Sequence, residues 1–278
     1  MRAPLRGRGL KRILDCGPAD FARMDGEDLV ESVRRSEGRT LLCEILWPAP
    51  PLVDGVSNAA IAVAFGADLV LLNKFDGDDL AGVKAGLGRP VGVNVEPSPT
   101  VPAHRRADRE NLERLAGADF VVITANPDAE VDTLAMISAS GTVREVLPGT
   151  PVFVGKMHGS GRRGLAGVGE ISRLAEVSDA VLIPAPGTVP GSRESRVAGL
   201  ADAVREAGAL VVAAVGTSQE GSDEETVREL TLAAKRCGAD VLHLGDAGVS
   251  GMPEPSNVLA ASLAVRGRRH TYRRMAMR

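Results

Sequence analysis

The apolar run VFVGKMHG, residues 152–159, ends on a lysine and a histidine two positions apart, Lys156 and His158, and Arg162 and Arg163 follow in GSGRRG. A lysine among apolar walls loses its proton easily and becomes a nucleophile or base. Beside carboxylates it stays charged and polarises a carbonyl instead. A histidine at the same place suits proton transfer. The two arginines suit an anion. On strict alternation Val152, Val154, Lys156 and His158 share one face, with Phe153 and Met157 on the other. That pattern predicts Lys156 and His158 pointing inward together, with Phe153 packed against a helix.

The same kind of ending recurs along the chain. Apolar runs close with Glu44, with Asn73, Lys74 and Asp76, with Asn94 and Glu96, and with Thr124 and Asn126. Later runs close with Thr188, with Thr217, Ser218, Gln219 and Glu220, and with His243 and Asp246. Amides and hydroxyls orient a substrate, so Asn73, Asn94, Asn126, Thr188, Thr217 and Gln219 are read as binding residues together with Glu44, His243, Asp246, Arg162 and Arg163. In GVNVEP, Asn94 and Glu96 share a face with Gly92, while Val91, Val93 and Val95 face the other way. Glu96 therefore joins Lys156 and His158 as a catalytic candidate.

These endings belong to eight apolar runs: 41–48, 69–76, 91–97, 120–127, 152–159, 180–187, 210–217 and 241–248. They are rich in Val, Ile and Leu and nearly continuous, as strands covered on both faces should be. Helical patterns separate them. SNAAIAVAF opens on a serine cap, and DEETVRELTLAAKRCG ends on a glycine stop. Repeats of about thirty residues are the size of a βα unit, and eight of them close a barrel of roughly 250 residues. The expected fold is a single (β/α)₈ TIM barrel over residues 1–278, with an N-terminal helical extension at 1–38 and a basic tail at 266–278. The competing open doubly wound sheet needs a glycine fingerprint after its first strand. PAPPLVDGVSN supplies none. GRT, GRP and GTP introduce the first, third and fifth runs, and GAD the second, fourth and eighth. That alternation points to a two-strand building block.

Polar residues gather where the runs end, which in a barrel is the face that carries active sites. With a formal charge of −3 and only 3% aromatic residues, the chain lacks the basic, stacking surface of a nucleic-acid binder. No apolar stretch has the length of a membrane span or a signal segment. Three scattered cysteines form no zinc or disulfide framework. The expectation is a cytoplasmic protein with a small-molecule substrate, no nucleic acid and no membrane partner, and with a homo-oligomer left open. The tail RGRRHTYRRMAMR is read as pairing with acidic neighbours or making an oligomer contact.

Several blocks carry a resemblance as a set: LDCGPADF, VSNAAIAVAFGADLVLLN, GVNVEP, GKMHGSG, LIPAPGTVPG, VGTSQEGSDEETVR, HLGDAG and AVRGRRHTYRRMA. Together they resemble an uncharacterised bacterial TIM-barrel family whose members are labelled haloacid dehalogenase-like hydrolases or likened to phosphoenolpyruvate phosphonomutases. The resemblance spans nearly the whole chain and implies the barrel fold. The phosphonomutase likeness implies a 2-oxo acid held on Mg²⁺. LDCGPAD does not supply the early DxD pair of the dehalogenases.

Three functional readings follow. The first is a lyase or isomerase acting on a small anionic carbonyl compound, with Lys156 polarising or covalently engaging the carbonyl and His158 and Glu96 moving protons. The second is a metal-dependent hydrolase using Glu44, Glu96, His158 and Asp246. The acidic endings outnumber Lys74 and Lys156, a surplus that suits a divalent cation such as Mg²⁺. The third is a barrel that binds a metabolite without turning it over.

Overall fold

The computed structural model of the chain describes residues 9–77, 79–125, 131–155 and 165–277. Eight parallel strands close into a barrel in sequence order. They are β1 (Thr40–Leu46), β2 (Leu69–Asn73), β3 (Val91–Val95), β4 (Phe120–Thr124), β5 (Val152–Gly155), β6 (Ala180–Pro184), β7 (Leu210–Val215) and β8 (Val241–Leu244). Two short N-terminal helices, α1 (Pro18–Phe21) and α2 (Gly26–Arg34), precede β1. The outer ring is α3 (Asn58–Phe65), α4 (Leu80–Leu87), α5 (Arg109–Arg114), α6 (Thr133–Val146), α7 (Val168–Ala175), α8 (Glu194–Glu206), α9 (Glu224–Arg236) and α10 (Pro255–Ala276). Closure is made by β1 against β8, with Leu42 beside His243. The (β/α)₈ TIM barrel expected from the alternation is the fold observed. No helix among the described residues is long and apolar enough to cross a membrane.

Helix starts follow local chemistry. The Ser57 hydroxyl accepts from the Ala60 N–H at 3.2 Å and so caps α3. Asp223 does the same for α9, from Thr226 at 2.9 Å. Along each strand one set of side chains enters the helix-packing shell and the other fills the barrel. Val91, Val93, Val95, Val152 and Val154 lie in the shell. Leu42, Leu69, Leu71, Phe120, Val122, Phe153, Leu182 and Val212 fill the interior, and Leu29 and Val33 of α2 join them. The N-terminal extension is therefore the plug of the barrel floor.

This corrects the facing predicted for β5. Phe153 points into the barrel and stacks on Phe120 with ring centroids 5.1 Å apart, while Val152 and Val154 face the helices. Both faces of a barrel strand are apolar, so alternation alone leaves their assignment undetermined. Gly92 helps to decide it, because a Cβ there would stand 2.2 Å from the Phe120 ring. The premise that placed Lys156 and His158 on the inward face of β5 is therefore reversed over its described part. Lys156, His158, Arg162, Arg163 and Asn126 themselves lie outside the described residues.

The two-strand punctuation has a physical basis. An aspartate precedes each even strand, and its carboxylate accepts the first free N–H of the odd strand before it. Leu41 donates to Asp68 at 2.8 Å, Val91 to Asp119 at 2.8 Å, Val152 to Asp179 at 2.8 Å and Val211 to Asp240 at 2.9 Å. Each aspartate N–H returns a bond to the same odd strand. Removing one such acceptor leaves a buried donor without a partner. Asp240→Ala is expected to lose about 1–3 kcal/mol in urea denaturation. Asp240→Asn, whose amide oxygen still accepts, should lose less. An Asp240→Ala midpoint equal to that of the unsubstituted protein would refute the role.

Residues 266–276 are not a separate tail. They continue α10, which bends at Gly267, where φ is +68°. The bend folds the arginines back beneath the barrel. Arg266 and Arg274 both pair with Asp68 at 2.7 Å, with all three side chains fully buried, and Arg273 reaches Asp15 at 3.1 Å.

Candidate functional site

At the C-terminal mouth, inward positions of four neighbouring segments form one hydrogen-bonded chain. The Thr124 hydroxyl at the end of β4 donates to Asn94 Oδ1 at 2.9 Å. Asn94 Nδ2 of β3 donates to Asn73 Oδ1 at 3.4 Å. Asn73 Nδ2 at the end of β2 donates to Asp246 Oδ2, just past β8, at 2.9 Å. Every donor in the chain points toward Asp246. A carboxylate can only accept, so it terminates a line of amides whose orientations fix one another.

A second pair lies beside it. His243 of β8 projects into the barrel at 1% exposure, with Nε2 3.0 Å from Glu44 Oε2 of β1. The approach lacks the alignment of a hydrogen bond, and among the described residues neither ring nitrogen has another partner. Behind them sits Glu220, from the loop after β7, at 2% exposure. Its Oε1 accepts from the Ala247 N–H at 3.1 Å, and Oε2 has no hydrogen-bond partner among the described residues. Gly245 makes room for this carboxylate. A Cβ at position 245, on the inward register of Val241 and His243, would stand 2.4 Å from Glu220 Oε1.

The electrostatics follow from burial. The Asp246 carboxyl is pushed up to about 6, first by desolvation and then by repulsion from Glu44, with the Asn73 hydrogen bond opposing both. Glu220 is also raised, again mainly by burial, against the pull of its backbone hydrogen bonds. A carboxyl that titrates near neutrality, held in place by an amide, has the properties of an acid–base group. Strained backbone surrounds it. Lys74, Thr217, Ser218 and Ser250 all adopt left-handed φ, between +49° and +72°, in loops after β2, β7 and β8. Such strain concentrates at functional sites.

Other sequence candidates are engaged elsewhere. Glu96, 1% exposed, receives Arg105 Nε on its Oε1 at 3.0 Å, with a second contact from the same guanidinium. Its N–H donates to the Arg105 carbonyl at 2.7 Å, and its own carbonyl accepts from Ala107 at 2.9 Å. Glu96 thus clamps the loop after β3 through its Oε1 and its backbone. The Thr188 hydroxyl donates to the Ala185 carbonyl at 2.7 Å, and Thr217 Oγ1 donates to the Thr188 carbonyl at 2.7 Å. Gln219 Nε2 donates to the Gly187 carbonyl at 3.3 Å. Thr188, Thr217 and Gln219, which the sequence reading gives as substrate-binding residues, join the β6 and β7 loops through these bonds. Asn73, Asn94, Glu44, His243 and Asp246 are brought together as expected from their strand-end positions. The residue missed is Glu220, which the sequence reading places at the end of the seventh run and in the acidic surplus without giving it a role. Its signal was Gly245, a glycine on the inward register of the last strand.

Among the described residues no group of three or more His, Cys, Asp or Glu is arranged to hold a metal ion. Glu44, Glu96 and Asp246, three of the four residues of the metal reading, form no such group, and Arg105 already neutralises Glu96.

The chain is similar to thiamine phosphate pyrophosphorylase from Pyrococcus furiosus, at 12% identity over 82% of this chain and 98% of that one, with a TM-score of 0.51. It is also similar to the YdjI aldolase from Escherichia coli K12, at 9% identity over 77% and 78% of the two chains, with a TM-score of 0.50. At such identities the likeness is one of fold, which hosts many chemistries. No curated protein matches the chain. The family model described as "Domain of unknown function (DUF7916)" matches residues 14–278, and the chain belongs to that family.

Proposed function

We propose that the chain is an enzyme of the lyase or isomerase type that moves a proton at a carbon next to a carbonyl group of a small polar substrate. Asp246 is the acid–base residue, and Asn73, held in turn by Asn94, positions it. Glu44 and His243 form the second proton-handling pair. The carbonyl-polarising role read for Lys156 and His158 and the anion-binding role read for Arg162 and Arg163 fall on residues outside the described ones. The observation that carries this reading is the Asp246 carboxyl, raised to about 6 at the barrel mouth and fixed by the Asn73 amide. A base with this titration range is largely ionised at neutral pH yet still basic enough to accept a proton from carbon.

The reading is tested without knowing the substrate. The purified protein is incubated in heavy water with a panel of 2-oxo acids, sugar phosphates and amino-carbonyl compounds. Loss of the C–H signal next to the carbonyl is followed by proton NMR. Exchange is expected with at least one compound and should disappear in Asp246→Asn. Exchange that persists in that variant removes Asp246 from the chemistry, and a silent panel favours the non-catalytic binder. Borohydride added to the active mixture should label Lys156 if an imine forms. Absence of an adduct would leave that lysine as a charge only.

A further inference from the structure

Charge pairing at the mouth is lopsided. Asp68 beneath the barrel has two arginines, and Glu96 has Arg105. Glu44, Glu220 and Asp246 have no lysine or arginine within ion-pair distance among the described residues; their one basic neighbour in such contact is His243, against Glu44. Lys74, next in sequence to Asn73, is half-buried and pairs with none of them. Buried carboxylates are ordinarily paired, protonated or set around a cation. Two further observations point to a ligand and not to an inert acidic patch. Glu220 Oε2, in a side chain only 2% exposed, has no hydrogen-bond partner among the described residues. The imidazole of His243, at 1% exposure on the inward face of β8, has two ring nitrogens without a hydrogen bond among the described residues, Nε2 lying 3.0 Å from Glu44.

We propose that the side-chain cluster of Glu44 of β1, Glu220 of the β7 loop, His243 of β8 and Asp246 just past it binds a positively charged amino group of the substrate. This rests on the mouth being the functional site and adds the substrate class, an amino-carbonyl compound. An organic ammonium fits for three reasons. It offers several N–H donors to carboxylate oxygens that accept only. It needs no rigid ligand geometry, which the described residues do not supply for a metal. It also supplies the charge that protons otherwise provide, since Asp246 and Glu220 are both held toward their neutral forms without it.

The test reads binding, not turnover. Full-length protein with ¹³C-labelled carboxyl groups is titrated with ethylammonium chloride, with sodium chloride at matched ionic strength, and with ethanol, sodium acetate and magnesium chloride in parallel. Ethylammonium should move the Asp246 and Glu220 carboxyl resonances saturably toward ionised values, while sodium chloride, ethanol and acetate should not. Glu220→Gln keeps the side-chain volume and an oxygen for the Ala247 N–H, and should weaken the probe by about tenfold through loss of one charge-assisted contact. Glu44→Gln serves the same purpose if the first variant does not fold. No saturable shift, a shift equal to that of sodium chloride, or saturation of the same resonances by magnesium at lower concentration would overturn the proposal. Loss of heavy-water exchange in Asp246→Asn without ethylammonium binding would remove this inference and leave the functional reading standing. Ethylammonium binding with a silent exchange panel would do the reverse.

Discussion

Asp246→Asn should abolish carbon-bound proton exchange while making the folded protein more stable at neutral pH. The loss in rate is expected to be about 10²–10⁴-fold, the usual share of a positioned acid–base residue. The gain in stability follows from linkage. Burial and Glu44 push the Asp246 carboxyl up from an ordinary aspartate value to about 6. The native state therefore holds a proton that the unfolded chain releases. The stability contributed by that proton is complete below the ordinary aspartate range and is lost as pH rises through about 6. At neutral pH the native state carries a buried charge that the unfolded chain would solvate. Asparagine carries no such charge, and its Oδ1 can still accept from Asn73. Urea denaturation should show Asp246→Asn more stable by about 2 kcal/mol near pH 7, with the difference gone near pH 4. A destabilised variant at neutral pH would mean that Asp246 is a structural carboxylate, and the acid–base assignment would fall with it.

The opposite behaviour is expected at the barrel floor. Arg274 is among the largest fully buried side chains of the protein. It pairs with Asp68, donates to the Cys16 carbonyl at 3.0 Å, and bonds the Ile13 carbonyl as well. Arg266 pairs with the other oxygen of Asp68 and also holds the Gly66 carbonyl. Arg274→Met leaves Asp68 with one cation where it had two and strands two buried carbonyls. Breaking a buried charge network in this way costs about 3–5 kcal/mol, and urea denaturation should show a loss of that size. Arg274→Lys should not restore it, because a single ammonium cannot reproduce the planar fork of the guanidinium. Carbon-bound proton exchange per folded molecule should be unchanged, since the cluster lies at the end of the barrel away from the mouth. A loss below about 0.5 kcal/mol would show the network to be dispensable.

How far the site could be read in advance depended on the kind of information each residue needed. Asn73, Asn94, His243 and Asp246 were legible because a closed parallel barrel brings the ends of all its strands to one rim, whatever lies between them. Ser57 was legible because a helix cap is decided within one turn. The face of Phe153 was not, because both sides of its strand are apolar and the choice rests on Gly92 and Phe120 in neighbouring strands. Nor was the role of Thr188, Thr217 and Gln219, whose polar groups meet across two loops.

The eightfold alternation of apolar runs and helical patterns is a local property repeated, and short-range periodicity was enough to determine the barrel and the rim on which its polar residues gather. Charge balance is different in kind. In the sequence Glu44, Asp68, Glu96, Glu220 and Asp246 are alike, five acidic residues at or near strand ends. The fold divides them. Asp68 receives an arginine 198 positions away, Glu96 receives one from its own loop, and the remaining three are left together around His243. Which carboxylates stay unneutralised, and that the Asp246 carboxyl is pushed up to about 6 by its burial, depends on distances and packing between segments remote in the chain. Only the closed barrel sets those distances.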